Sequence, residues 1–383
     1  MNQLQKYTWL IGLAVMTGGL MPAHSYAKDM AQESSTHSTK ITGSLKIKSE
    51  FALADEEARK SNKYTFKIGS AEIGLKKTFP WGKDTVEFVI QSKILKYPFK
   101  PLGIKKVYVD HKNFIVGLTN SNFCDPSAEL ATLIGSPVGT ASARVVKVGW
   151  KDRLQKGLSY GIAAEKAKEL NDSDPMARHG KLLPNVVYKG LLPAVGAHMK
   201  YEEAFGYLRV SALLRPIDHN PKEETHYKYA WGVNLTGTLN IIPEQTSLKI
   251  GGIYGMGIGS YLTVPHKEQL LDTDGYNSEE KLVLVGARGG YLGLEHRWLP
   301  KLRSTLALGI IDTADSKERE KNVPESLHNS CFKQARYASV NLTYHPTENL
   351  TLGAEYIYGK TSMLADEDIP SRHDIGLAVK FKL

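Results

Sequence analysis

Basic residues recur at alternate positions along several stretches of this sequence, and their type and spacing suit one kind of chemistry. Arg209 alternates with Leu208 and Val210, and Arg303 follows Leu302 in the same way. Successive side chains of an extended strand point to opposite faces, so each arginine lies on a polar face that opposes an apolar one. Cations aligned on one face attract anions, but they do not by themselves catalyse a reaction.

Motifs of phosphate-dependent or metal-dependent catalysis do not stand out. The sequence contains no Gly-x-x-x-x-Gly-Lys-Ser/Thr loop and no His-Glu-x-x-His pair. The 12 histidines are scattered without the spacing of metal ligands. We therefore predict no catalytic residue, no metal and no cofactor, and the protein is not expected to be an enzyme.

Composition narrows the class of protein. The chain has 383 residues, of which 42% are hydrophobic and 23% are charged, close to the average for folded domains. Only two cysteines are present, which excludes a disulfide-rich scaffold. Lys and Arg outnumber Asp and Glu by 49 to 40, but the basic residues are spread out, so nucleic acid is not an expected partner.

The first residues have the pattern of an export signal. Lys6 precedes an apolar run at Thr8–Leu20, and small residues follow at Ser25 and Ala27. This pattern predicts a Sec-type signal peptide over residues 1–27, with an uncleaved anchor as the alternative. Residues 28–40 are polar and are predicted to be disordered. A single domain is expected over 41–383.

Behind the signal, the sequence has the period of two that is typical of strands. Between Tyr229 and Ile241, apolar and aromatic residues alternate with Asn234, Thr236 and similar polar residues. A face that is apolar over about ten residues, with aromatics at one end, is what a strand that crosses an outer membrane requires. Similar runs recur to the end of the chain, and no other apolar run is long enough for a membrane helix.

The connections between these runs alternate in length. Residues 243–246, 299–301 and 346–349 read as short turns, whereas 263–281, 312–333 and 361–371 read as long polar loops. Long outer loops and short periplasmic turns are characteristic of outer-membrane barrels. We predict an all-β fold: a closed antiparallel transmembrane β-barrel of about 16 strands in the bacterial outer membrane, in contact with its lipid.

The barrel prediction decides where strand charges point. A lysine or arginine facing lipid at mid-depth costs about 2–4 kcal/mol, so charges deep within strands should face a water-filled lumen. Rings of such charges select the solutes that pass through a pore. The residues predicted to line the pore and bind anions are Lys46, Lys48, Lys93, Lys105, Arg144, Lys147, Arg209 and Arg303.

One long stretch, near residues 120–142, lacks strand alternation. Irregular backbone is tolerated at membrane depth where it lines a water-filled cavity, so this stretch is predicted to fold inward and narrow the pore. The alternative is an ordinary outer loop. Asp125 precedes a proline and is expected to cap a turn rather than face the solute. The predicted constriction residues are Asn120, Ser121, Asn122, Phe123, Asp125 and Pro126.

The two cysteines lie in loops of this barrel. Cys124 is in the predicted inward loop and Cys331 is in a late outer loop. An exported protein meets an oxidising compartment, so a disulfide between them is possible. Two reduced thiols are an alternative of equal weight, because the sequence does not give the distance between Cys124 and Cys331.

The segment Phe114–Thr132 resembles the strand-and-loop signature of the DcaP-like porin family. The matching positions are Gly117, Thr119, Ser121, Phe123, Asp125, Pro126, Ser127 and Ala128. The stretches 296–298 with 302–304, and 341–344 with 353–356, are also similar to that family. The resemblance implies a 16-stranded homotrimeric outer-membrane porin that passes small, mainly anionic solutes such as dicarboxylates.

The leading hypothesis is therefore a porin for passive diffusion of small hydrophilic, preferentially anionic solutes. A surface adhesin or structural barrel without conductance is the alternative. A barrel hydrolase is a third reading, and it would need a serine or aspartate beside a histidine at the rim.

Overall fold

The structure is a computed structural model. It describes residues 38–53, 63–81, 84–95, 103–166, 192–219, 226–264, 272–276, 282–314, 319–321, 323, 325–365 and 371–383. The predicted signal peptide lies outside these residues. So do the stretches 167–181 and 185–190, for which the sequence pattern predicts an outer loop and a strand. The chain divides into residues 1–38, of which only Ser38 is described, and a compact unit from Thr39 to Leu383.

Sixteen of the described strands form one closed antiparallel barrel. Each strand pairs with its neighbours in chain order, and β18 pairs with β1 to close the ring, with Lys46 opposite Lys380. The predicted architecture is confirmed. The barrel strands are β1 (Ser38–Leu53), β2 (Lys63–Trp81), β3 (Asp84–Leu95), β4 (Gly103–His111), β5 (Phe114–Asn120), β6 (Arg144–Gln155), β7 (Leu158–Glu165), β8 (Ala194–Glu203), β9 (Gly206–His219), β10 (His226–Ile242), β11 (Thr246–Met256), β14 (Gly286–Leu299), β15 (Leu302–Thr313), β16 (Phe332–Thr347), β17 (Leu350–Met363) and β18 (Arg372–Lys382).

The two remaining strands, β12 (Thr273–Tyr276) and β13 (Leu282–Leu284), pair with each other inside the connection from β11 to β14. Short 3₁₀ turns lie at Pro126–Ala128, Gly259–Tyr261 and Glu325–Ser330. Among the described residues, no helix has the length and apolar character needed to cross a membrane.

Strand alternation separates an apolar outer face from a polar inner one. On β10 the side chains of Tyr229, Val233 and Leu235 are exposed on the outside, whereas Asn234 and Thr236 are each only 3% exposed. Neighbouring strands repeat this pattern, so large apolar side chains cover the outside of the barrel. Soluble proteins rarely expose such a continuous apolar surface, and a lipid bilayer supplies the matching environment.

The connection lengths agree with the sequence pattern, with local differences. The sequence pattern also predicts a short turn at 151–156, but β6 continues to Gln155, and Gly157 makes the turn with a φ of +77° that favours glycine. For residues 215–225 the pattern predicts an outer loop, whereas β9 runs to His219. β1 begins at Ser38, inside the segment predicted to be disordered.

The lipid-facing role of the β10 outer face predicts a depth-dependent effect of charge. Replacing Leu235, at the middle of the strand, by arginine should lower the free energy of unfolding in lipid vesicles by about 2–4 kcal/mol. The same change at Ile241, on the same face near the strand end, should cost about 0–1 kcal/mol. Denaturant titration of the refolded variants measures both values, and equal losses would contradict the assigned membrane depth.

Candidate functional site: a loop held inside the barrel

The connection between β5 and β6, residues 121–143, lies inside the barrel, and we call it the inner loop. β5 ends early, at Asn120, and the chain then turns to meet inward-facing side chains of the wall. Its contacts follow the wall from β6 through β11 and β14 to β17 and β1. Irregular backbone in this position must satisfy its N–H and C=O groups with luminal partners, because lipid offers none.

Glu165 on β7 anchors the beginning of the inner loop. Its fully buried carboxylate accepts hydrogen bonds from the Ser121 hydroxyl and from the Asn122 N–H, both at 2.6 Å. Lys147 on β6 donates to the Asn122 side-chain oxygen at 2.6 Å and to the Asn120 carbonyl at 2.8 Å. The ammonium and the carboxylate thus hold the same few residues from two adjacent strands.

Asp125 is the second anchor, and it caps a turn as expected. One carboxylate oxygen accepts the Ser127 N–H at 3.0 Å at the start of the Pro126–Ala128 turn. The other oxygen accepts the hydroxyls of Tyr207 at 2.9 Å and Thr236 at 2.7 Å. Arg209 lies 3.5 Å from the first oxygen. A carboxylate with this many donors is fixed to the wall rather than presented to a solute.

Aromatic packing also attaches the inner loop to its surroundings. Phe123 is fully buried and meets the ring of Tyr261 edge-on, with centroids 6.0 Å apart. Asn234 on β10 donates to the Phe123 carbonyl at 2.9 Å. Burial raises the pKa of the Tyr261 hydroxyl, so this ring stays neutral. The outer connection that carries Tyr261 therefore packs onto the inner loop from one side.

The middle of the inner loop is held by a pair of opposite charges. Lys249 on β11 lies 3.1 Å from the Glu295 carboxylate on β14. Lys249 also donates to the Glu129 carbonyl at 2.7 Å, and Glu295 accepts the Ala131 N–H at 3.0 Å. The pair satisfies one acceptor and one donor of the loop backbone.

Glu355 on β17 holds the tip of the inner loop. One of its oxygens accepts three consecutive backbone N–H groups, from Leu133 at 3.1 Å, Ile134 at 2.5 Å and Gly135 at 3.4 Å. Lys48 on β1 donates to the Ile134 carbonyl at 2.7 Å. Successive N–H groups directed at one anion form a backbone nest, here occupied by the protein's own carboxylate.

The returning arm of the inner loop lies against glycines of β14 and β15. A Cβ at Gly309 would stand 2.5 Å from the Val138 carbonyl oxygen. Gly139 has a φ of +78°, and a Cβ there would meet the carbonyl oxygens of Gly290 and Ile310, both at 2.5 Å. Backbone approaches backbone at this place, and only glycine leaves the room.

A β-bulge turns two consecutive lysines of β4 toward the lumen. Gln91 pairs with Lys106 and Ser92 pairs with Ile104, so Lys105 is the extra residue. Gln91 donates to Glu72 at 3.2 Å, and Lys105 forms an ion pair with the same carboxylate. Bulges re-aim side chains in this way. Alternation read from the sequence left the direction of both lysines open.

The predicted pore residues thus fall into several groups. Lys48, Lys147 and Arg209 face inward and bind the inner loop, and Lys105 is paired with Glu72. Lys93 on β3 pairs in register with Glu72, which places it on the same luminal face. Lys46 and Arg303 line a cavity below the loop.

Arg144 is a correction. It is exposed and alternates with the buried Val145 and Lys147, on the same face as the outward-pointing Val146 and Val148. The strand begins at Arg144, and its fourth residue, Lys147, contacts the inner loop, which shows which face of β6 points inward. The predicted inward direction of Arg144 does not hold.

The two cysteines are buried thiols in the structure, so the disulfide alternative is not formed there. The Cys124 sulfur accepts the Ala143 N–H at 3.1 Å, which joins the two ends of the inner loop. Cys331 lies next to Phe332 at the start of β16, and its carbonyl accepts the Leu364 N–H at 3.0 Å.

A Gly-x-Ser-x-Gly spacing, the pattern of a serine nucleophile, occurs at 157–161. Its serine, Ser159, lies within β7, and the hydroxyl donates to the Lys200 carbonyl at 3.5 Å. The nucleophile motif requires a sharp strand-to-helix turn, whereas β7 continues as a barrel strand to Glu165. The spacing therefore does not form a hydrolase site here.

Sequence reasoning missed the acidic anchors. Glu165, Glu295 and Glu355 are not among the predicted site residues, because the charge argument from the sequence points only to basic residues on polar strand faces. The same alternation carries a signal for them, since Glu355 shares the face of Gly353 opposite Leu352 and Tyr356. Alternation does not show, however, that Glu355 contacts the inner loop, whose residues lie more than 200 positions earlier in the chain.

A closed barrel of sixteen strands with a loop bound along its inner wall is the architecture of a porin. Comparison with known proteins agrees. Residues 100–376 match the profile of the DcaP outer membrane protein family, and the chain belongs to this family. The predicted resemblance is confirmed, and the family places the chain in the outer membrane. Comparison with curated proteins gives no match.

Solved structures share the fold. The outer membrane channel DcaP of Acinetobacter baumannii has a TM-score of 0.76 and 20% identity, covering 91% of this chain and 97% of that chain. An anion-selective porin from Comamonas acidovorans has a TM-score of 0.62 and 10% identity, covering 91% and 100%. OmpF of Salmonella typhi, in complex with daunomycin, has a TM-score of 0.59 and 10% identity, covering 90% and 97%.

The nest around Glu355 predicts that this carboxylate fixes the loop tip. Replacing Glu355 by alanine should lower the free energy of unfolding by about 1–3 kcal/mol, because buried N–H groups lose a charged acceptor. It should also add flickering to single-channel current as the tip moves. Glu348→Ala, in the exposed turn between β16 and β17, is the control. Identical stability and current in both variants would contradict the anchor.

The glycine contact predicts an effect of bulk at Gly309. A valine there should push the returning arm into the lumen and reduce single-channel conductance, because its Cβ would stand 2.5 Å from the Val138 carbonyl oxygen. Gly359 lies two strands away in the same row of the barrel, and a Cβ added there would meet nothing within 4 Å. Gly359→Val should leave conductance close to the original value, and equal reductions in the two variants would refute the contact.

Proposed function

We propose that this porin is a water-filled channel for passive diffusion of small hydrophilic solutes, with a preference for anions such as dicarboxylates. The solute passes between the inner loop and the part of the wall that the loop leaves uncovered. The homotrimer and the cleaved signal peptide expected from the sequence belong to the same proposal. Nothing in the proposal requires a catalytic group.

The observation that carries the proposal is the unequal use of luminal charges. The carboxylates of Glu165, Asp125 and Glu355 are buried and turned toward the inner loop. Within the described chain, the charged groups of Lys46, Lys106 and their neighbour Lys380 make no hydrogen bond or ion pair. The acids serve the loop, and the cations remain available to a solute.

The electrostatic surroundings support the same preference. Lys106 lies within electrostatic range of its luminal neighbour Lys105, with Glu129 as the opposing charge. Lys46 lies within range of Lys48 and Lys380, with Glu355 and Glu72 opposing. Walls of low dielectric constant concentrate the field of such groups in the water between them, which raises the local concentration of anions.

A planar bilayer with a KCl gradient tests the proposal. Refolded protein should give stepwise conductance and a reversal potential of the sign expected for chloride. Lys106→Gln should lower the ratio of anion to cation permeability, because one unpaired cation leaves the passage. Lys156→Gln, at the exposed turn after β6, removes the same charge outside the lumen and should change nothing.

Other outcomes would point elsewhere. A potential of cation sign would show that carboxylates govern the passage and would overturn the anion preference. Folded barrels without any conductance would favour the adhesive or structural alternative.

A further inference from the structure

A cavity of about 390 Å³ lies between the inner loop and the end of the barrel where the turns are short. Ala131, Thr132 and Leu133 of the loop form one side of it. The other side is the wall from β10 and β11 through β14 to β18 and β1. The turn residue Glu244 and the β16 residue His345 mark its lower part. A solute that has passed the loop enters this space before it leaves the barrel.

Two pairs of like charges face this cavity. Lys46 lies directly opposite Lys380 across the β1–β18 pair, and Arg297 lies directly opposite Arg303 across the β14–β15 pair. Directly opposed residues have Cβ atoms about 4.5–5.5 Å apart, and like charges in that position destabilise a sheet. Lys382 adds a fifth cation to the same lining.

These five cations differ from the cations that hold the inner loop, because they lack such partners. Lys48, Lys147, Arg209 and Lys249 each bind the inner loop. By contrast, in the part of the chain that the structure describes, the charged groups of the five cavity cations form no hydrogen bond or ion pair. The Nε atom of Arg297 is even buried without a hydrogen-bond partner.

The acids of the cavity do not offset this charge. Glu295 is occupied by Lys249 at 3.1 Å and by the Ala131 N–H at 3.0 Å. Glu244 is exposed in the turn after β10. Lys46 also lies within electrostatic range of Glu355, but that carboxylate accepts the N–H groups of the loop tip. Lys46 and Lys380 lie within range of Glu72 as well, and Glu72 is paired with Lys105. Repulsion across the two pairs is therefore left uncompensated by the protein.

We propose that the cavity is a subsite for a compact oxyanion group with two negative charges, of the phosphate type, held between Lys46 and Lys380. This subsite rests on the proposed anion channel and adds a place on the periplasmic side of the loop where the anion pauses. Two opposed ammonium groups converge on one tetrahedral group. Lys382 lies two residues further along β18 and adds to the attraction.

The spacing of the two like-charge pairs favours a compact group. β15 and β18 are three strand spacings apart, roughly 14 Å along the wall, so a short dianion does not join the two pairs end to end. A doubly charged group at the lysine pair removes the repulsion between them, whereas chloride offsets only half of that charge. The arginine pair then contributes through its field rather than by direct contact.

The test uses the full refolded chain in a planar bilayer at about pH 8, where inorganic phosphate is mainly divalent. Phosphate, replacing chloride at constant ionic strength, should reduce chloride conductance in a saturable way. The effect should be greater from the side of the short turns. In the double variant Lys46→Gln, Lys380→Gln, the phosphate concentration that gives half-maximal inhibition should rise by at least roughly tenfold, because charge-assisted hydrogen bonds are lost.

Lys156→Gln is the matched control and should behave as the original chain. Inhibition that is absent from the original chain, or equal in the double variant, would overturn the subsite. The reversal potential in KCl alone reports on the proposed channel separately. Anion preference without phosphate inhibition refutes only the subsite, and saturable inhibition without anion preference in KCl refutes only the channel's selectivity.

Thermal unfolding in detergent gives a second readout that does not depend on conductance. Phosphate should raise the unfolding temperature of the original chain, because a ligand that binds the folded state stabilises it. The double variant should not respond, and without phosphate it should be at least as stable, since the repulsion is gone. If the double variant fails to fold, the single variant Lys380→Gln is used for both the conductance and the thermal unfolding measurements. An equal response to phosphate in variant and original chain would refute the subsite.

Discussion

The backbone of the inner loop needs hydrogen-bond partners at membrane depth, and the rest of the site depends on this requirement. A strand satisfies its N–H and C=O groups through its neighbours, but residues 121–143 belong to no strand of the barrel. The wall supplies the partners instead: Glu165 for Asn122, Asn234 for Phe123, and Glu355 for three residues at the tip. Each partner is an inward-facing residue of a regular strand, so the barrel's alternation is what makes the irregular loop possible.

This requirement also decides the charge of the passage. Free N–H groups at the start and tip of the loop are best satisfied by carboxylates, which accept several bonds at once. Using Glu165 and Glu355 in this way buries two negative charges that would otherwise face the water. The chain carries only a modest excess of basic residues, 49 against 40 acidic ones. The local excess of positive charge in the lumen arises less from adding lysines than from occupying the acids, so the loop architecture and the proposed anion preference have one physical origin.

The fold was predictable from sequence because its signals are local. Period-two alternation defines each strand, and alternating connection lengths define the two barrel ends without any knowledge of contacts. Asp125 belongs to the same class, since an aspartate before proline indicates its cap within three residues. The anchors were not predictable in this way. Glu355 meets Leu133 across 222 positions, and the bulge that turns both Lys105 and Lys106 inward depends on the register with β3. Arg144 shows the same limit, because its direction follows from which residue of β6 meets the loop.

The path of the loop finally makes the two sides of the passage unequal. Along the loop, cations such as Lys147 and Lys249 bind backbone carbonyls or paired carboxylates. Their positive charge is therefore partly neutralised before it can act on a solute. Below the tip, the wall continues with the same polar face but without loop backbone to bind. Lys46 lies opposite Lys380 and Arg297 opposite Arg303 there, and within the described residues the protein supplies no partner for these charges, so their screening is left to water and dissolved ions. In the proposed anion channel, the attraction for anions therefore increases after the constriction rather than at it, which would draw solutes past the loop instead of retaining them in front of it.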